Sequence, residues 1–134
     1  MAALNSVYIE KPNGPSIRAA NSTGAILYEN EFTVLGAGTK GIPAVANEQI
    51  GIAAIGGFDV EPYKLVQASD LTAGENTFGT VNQPVYFNPA TGAFSDTATV
   101  GYYLVGILAE AKSSAGVIKF FVLPVADEIE SDET

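Results

Sequence analysis

Short apolar runs, each closed within a few residues by glycine, proline, asparagine, serine or threonine, recur along the whole chain. Val, Ile, Phe and Tyr dominate these runs, a pattern that predicts many short strands rather than helices. The strands are expected at residues 25–28, 31–35, 44–46, 48–55, 58–66, 84–87, 93–95, 102–109 and 117–123. In the last of these, Ile118, Phe120 and Val122 share one face while Val117, Phe121 and Leu123 share the other with Lys119. Two largely apolar faces predict a strand packed on both sides. The turn sequence Asn88-Pro89-Ala90-Thr91-Gly92 joins Tyr86-Phe87 to Phe94, so residues 84–95 read as a hairpin. Residues 108–114 are the one place where a turn or two of helix is expected.

The ends of the chain differ from its body. Residues 1–23 contain Pro12, Gly14 and Pro15 and few apolar anchors, and are expected to form an extended N-terminal arm. Within the arm Val7, Tyr8 and Ile9 have strand character, with Val7 and Ile9 on one side. Fully extended at ~3.3 Å per residue, such an arm reaches roughly 70 Å. Residues 126–134 read as a flexible acidic tail. Between them, residues 24–125 form the expected β domain. The predicted fold class is all-β: a compact small β-sandwich or barrel-like domain carrying an arm and a tail.

Composition narrows the chemistry. The 134 residues include no His, Cys or Trp, so the usual ligands of zinc, haem and iron–sulfur centres are missing, as are Ser-His and Cys-His catalytic pairs. No cofactor, no resident metal and no enzymatic activity are expected. The net charge is −9, but Asp127, Glu128, Glu130, Asp132 and Glu133 crowd the last eight residues, and without them it is −4. Lys11, Arg18, Lys40, Lys64, Lys112 and Lys119 are scattered, which argues against a nucleic-acid partner. The start of the chain lacks the basic and apolar regions of a secretory signal. The longest apolar stretches, 50–58 and 100–109, fall well short of the ~18–20 residues that span a bilayer. No membrane partner is expected, and Asn21-Ser22-Thr23 reads as a polar turn rather than a glycosylation site.

Three patterns invite a chemical reading. Gly36-Ala37-Gly38-Thr39-Lys40-Gly41 is a literal G-x-G-x-x-G behind a predicted strand, but Ile42-Pro43 follows where a dinucleotide site needs a helix. A glycine-rich hairpin loop fits better. Asp59 and Glu61 lie two apart on a predicted strand, so their carboxylates project from one face about 6.5–7 Å apart. That matches an inverting glycosidase pair, although catalytic pairs normally come from separate elements flanking a cleft. A charged strand edge that discourages aggregation is the plainer reading. The acidic tail offers oxygens to Ca²⁺ but lacks the glycine turn and ligand spacing of a preformed loop, which favours a solvated tail.

The order of segments resembles a known family. Gln83-Pro84-Val85-Tyr86-Phe87-Asn88-Pro89-Ala90-Thr91-Gly92-Ala93-Phe94-Ser95 resembles the "D-P-V-Y-W-D-x-x-T-G-x-x-T" hairpin of tailed-phage capsid cement, or head decoration, proteins. Leu104-Val105-Gly106-Ile107-Leu108-Ala109-Glu110-Ala111 looks like that family's "x-x-G-x-A-x-x-A" segment, and residues 117–123 stand where its last strand does. Upstream, Ile42-Pro43-Ala44-Val45-Ala46 and Gly57-Phe58-Asp59-Val60-Glu61-Pro62-Tyr63-Lys64 are similar to its "G-V-A" and "G-V-F-x-x-P-K" strands. The resemblance spans roughly residues 24–123. It implies a bacteriophage structural protein, made in the host cytoplasm and located on the outer capsid surface of the virion. It further implies a homotrimer that binds the expanded head and bridges subunits of the major capsid protein. Val7, Tyr8 and Ile9 would then be a capsid-binding arm, pairing by main chain with an exposed strand edge. The alternatives are another virion surface, tail or glycan-binding β module and, more remotely, a small hydrolase using Asp59 and Glu61.

Overall fold

The computed structural model describes residues 7–8, 16–36, 38–59, 63–69 and 77–130. Ten strands run through them: β1 (Val7–Tyr8), β2 (Ser16–Ala20), β3 (Phe32–Leu35), β4 (Lys40–Ala46), β5 (Ile55–Asp59), β6 (Leu65–Ala68), β7 (Pro84–Asn88), β8 (Ala93–Ser95), β9 (Tyr103–Glu110) and β10 (Ile118–Glu128). All pair antiparallel in one continuous sheet of order β2-β5-β4-β10-β9-β7-β8. Off that path β3 pairs with β4, β6 with β10, and β1 with β6. The fold is all-β.

Two strands change partners along their length and so join the two halves of the sheet. β10 pairs through residues 118–121 with β6, then through Ala126 and Asp127 with β4. Against β9 its register jumps between Val122 and Asp127. Pro124 lies in this bulge, where its missing N–H breaks no ladder bond. β4 meets β10 at Lys40 and Gly41, β3 at residues 42–45, and β5 at Val45 and Ala46.

The alternation of β3 and β4 feeds two apolar clusters. Phe32, Val34 and Val45 enter a large one with Val66, Phe78, Val85, Phe87, Phe94, Val105, Leu108, Ile118, Phe120 and Val122. Leu35, Ala44 and Ala46 enter a small one with Leu27, Ile50 and Phe58, against which Ile17 and Ala19 pack. β3 is therefore buried on both faces, as a continuous apolar run requires. In the large cluster the Phe32 ring meets those of Phe87, Phe94 and Phe120 at centroid distances of 4.9, 5.4 and 5.7 Å. Gly106 belongs to this packing: a Cβ there would lie 2.4 Å from Phe120 Cδ2 and 2.7 Å from the Phe121 carbonyl oxygen.

Several expectations change. β10 is buried on one face only, through Ile118, Phe120 and Val122; on the other, Phe121 is 46% exposed, because no described element covers it. The strand expected at 48–55 does not form; only Ile55 is in a strand, where it opens β5. Ile50 bridges Leu27, which is all that remains of the strand expected at 25–28, and residues 51–54 turn outward. No helix forms at 108–114: β9 continues to Glu110, and a turn with Gly116 at φ +79° leads into β10. β2 lies within the segment expected as arm, paired with β5 from Ser16↔Asp59 to Ala20↔Ile55. β10 likewise runs into the segment expected as tail, burying Ala126.

Candidate functional site

The arm residues come first. Val7 pairs with Gln67 and Tyr8 with Val66, so this segment adds a short antiparallel strand to the edge of β6 that β10 leaves open. Ile9 lies outside the described residues. The strand character read from the sequence is thus expressed as main-chain pairing on the chain's own sheet.

The glycine-rich segment closes the β3–β4 hairpin, with Gly36 at φ +63° and Leu35 opposite Ile42. Where a dinucleotide fold places a helix, β4 follows. Its tip is tied down by a hydrogen bond of 2.5 Å from the Tyr103 hydroxyl to the Gly38 carbonyl and by the Glu128 amide, 2.9 Å from the Thr39 carbonyl. Burial, with the Glu128 charge nearby, raises the Tyr103 hydroxyl above the usual tyrosine range. The tail begins in the same place: Asp127 Oδ1 is 2.6 Å from Lys40 Nζ, and the Ile129 amide donates to the Tyr102 carbonyl at 2.9 Å. Asp132 and Glu133 lie outside the described residues, as does Glu61, so the Asp59–Glu61 pair does too; Asp59 closes β5. Among the described residues no three acidic side chains group to hold a metal ion.

The hairpin motif folds as β7 and β8, with Phe87 opposite Phe94 and their rings 4.9 Å apart. Asn88 shapes its turn. Its Oδ1 accepts the Ala90 amide at 2.9 Å and its carbonyl accepts the Gly92 amide at 2.7 Å, with Gly92 at φ +75°. The adjoining Asp96 fixes the approach to β7. Oδ2 accepts from the Thr77 amide and hydroxyl and from the Phe78 amide at 2.9–3.2 Å, and Oδ1 from the Thr97 hydroxyl at 3.0 Å. Burial alone would raise this carboxyl, but these donors outweigh it and hold the group below its ordinary value. Phe78 is thereby fixed in the large cluster at φ +41°.

Sequence reasoning missed an exposed apolar feature of the described residues. Ile52, on the turn of residues 51–54, and Ile55, the first residue of β5, are 62% and 69% exposed, with no charge from residue 51 to 55. Asn21, 2% exposed, holds this loop: Nδ2 donates to the carbonyls of Ala25, Ile50 and Gly51 at 2.6, 3.3 and 3.2 Å. Its Oδ1 accepts the Thr23 amide and hydroxyl at 3.1 and 2.6 Å. The Asn21-Ser22-Thr23 sequence is therefore a structural turn, its amide committed to three carbonyls. Glu31 is a second buried polar group near the small cluster. Oε1 accepts the Tyr28 amide at 3.1 Å, Oε2 has no hydrogen-bond partner among the described residues, and burial raises the carboxyl above its usual range against that single bond.

Comparison with family models, curated proteins and solved structures finds no match for this chain.

Proposed function

We propose that this chain is a tailed-phage capsid decoration protein. It binds the outside of the expanded head and bridges major capsid protein subunits, acting by contact rather than by catalysis. The observation that carries the reading is that Val7 and Tyr8 can add a strand to a sheet edge: they do so on β6 of the same chain, and a capsid edge would be engaged by exchanging that partner. The hairpin residues that resemble the family fold together as β7 and β8, which supports the same reading. In the proposed trimer three arms act together. The first to engage raises the effective concentration of the others, so contacts of about 1 kcal/mol per main-chain hydrogen bond hold jointly.

The test is binding of the isolated protein to expanded heads that lack it, with and without residues 1–12. The deletion stops there because β2 begins at Ser16 and completes the small cluster beside β5. Intact protein is expected to bind in near-stoichiometric copy number, and the shortened chain at least about tenfold more weakly. Equal binding by both would remove the arm from the account, and no binding by the intact protein would overturn the function.

A further inference from the structure

One edge of β6 is taken by β10 and the other by the arm. β10 pairs with it from Ile118↔Ala68 to Phe121↔Leu65, whereas β1 pairs only as Val7↔Gln67 and Tyr8↔Val66. The edge under β1 carries none of the devices that blunt an exposed strand: Leu65-Val66-Gln67-Ala68 has no charge and no proline. It is an edge that has to be covered, and the strand that covers it is held through two residues. So short a strand is among the first parts of a sheet to open, because few main-chain hydrogen bonds hold it. Residues 9–15, which join β1 to β2 in the sequence, include Pro12 and Pro15. Proline draws the residue before it towards extended backbone, and a short, stiffened connection invites exchange of an element between copies.

We infer that β6 is an acceptor site for the arm of a second copy of this chain, which replaces the chain's own Val7 and Tyr8 in the same antiparallel register. The pairing already present sets that occupant. This strand and this edge fit each other, every copy carries one of each, and exchange replaces each main-chain bond with an identical one. Strand and edge are different surfaces of the chain, so the exchanged contact runs head to tail, the kind that closes into a ring such as the trimer of the reading above. The chain's own arm competes from an effective concentration on the order of 1 mM. Exchange therefore grows with protein concentration and is strongest where copies already lie side by side. The inference rests on the premise, shared with the reading above, that the arm leaves β6. It concerns the free protein, before a capsid edge competes for the same strand.

The chain has no cysteine, so disulfide trapping reads this contact without background. Val7→Cys and Gln67→Cys are made in separate full-length chains and mixed under mild oxidation. Protein concentration runs from about 10 µM to about 1 mM, up to the arm's own effective concentration. Neither chain can close the bond within itself, so a bond between the two variants, identified by mass, forms only across copies. That mixed product is expected, and its share is expected to rise with concentration. Leu65→Cys in place of Gln67→Cys lies on the same face of β6 but two residues out of register, where Cα separations of ~7–8 Å disfavour a bridge. It is expected to trap at least tenfold less. Both substitutions in one chain are expected to close within it in dilute solution, which checks the register itself. Tyr8→Cys with Val66→Cys, the other registered pair, replaces the first pair if either variant melts at a lower temperature. Absence of the mixed product at the highest concentration, equal trapping at residues 65 and 67, or failure of the double variant to close overturns the inference. Head binding of the wild type is scored separately. A chain that coats heads but traps no mixed product loses this exchange and keeps the function, and the reverse result loses the function alone.

Discussion

The two apolar clusters occupy one sheet but are held by different means. In the large one, phenyl rings from β3, β7, β8 and β10 meet edge-on or tilted at 4.9–5.7 Å, and the fit is one of volume. The small one is built from Ala44, Ala46 and a few larger side chains, with Ile50 packed so closely over Gly56 that a Cβ there would lie 2.3 Å from Ile50 Cδ1. At its margin sit the buried polar residues Asn21 and Glu31. The first region is therefore expected to fail when volume is removed, the second when a hydrogen bond or a proton is.

The largest effect belongs to the aromatic cluster. Phe32→Ala removes a ring that touches three others and is expected to cost about 3–5 kcal/mol in chemical denaturation, where a loss below about 1 kcal/mol would mean that the cluster closes over the gap. Asn21→Ala strips the donor from three carbonyls and is expected to cost about 1–3 kcal/mol. Its signature is local: amide exchange at Ala53 and Ala54 should quicken far more than at Phe120. Uniform quickening would show that the two regions unfold as one.

The smallest effects are in pH dependence, and they have opposite signs. Glu31 holds its proton more tightly in the native state than its ordinary 4.5. Its contribution is complete below that value and is lost as pH rises through the raised native value. Asp96 titrates below its ordinary 3.8, so its contribution is present above that value and is lost as pH falls through the lowered native one. Unfolding free energy measured against pH should lose the first slope in Glu31→Gln and the second in Asp96→Asn. A single substitution that removes both slopes would contradict the separation of the two regions.

What the sequence made legible was local. The hairpin of β7 and β8 follows from Asn88, Pro89 and Gly92, residues that act on their own neighbours, and β8 falls where its residues predict. The apolar alternation of β10 was also plain, but which face is covered depends on elements that fold from elsewhere, and Phe121 is left partly in water. Residues 48–55 look like a strand because they are apolar. They turn outward because Asn21, some thirty residues upstream, captures the carbonyls of Ile50 and Gly51. Ser16–Ala20 resembled a linker for the same reason, since its partner β5 is about forty residues away in the chain. The strand capacity of Val7 and Tyr8 was legible, whereas its acceptor edge on β6 was not.

A density map of the assembled particle tests the central claim most directly. The account predicts density for this chain across the outside of the expanded head, repeated at every equivalent point of the lattice and in contact with neighbouring capsid subunits. Density confined to the tail or spike, or a head surface without it, would contradict the account.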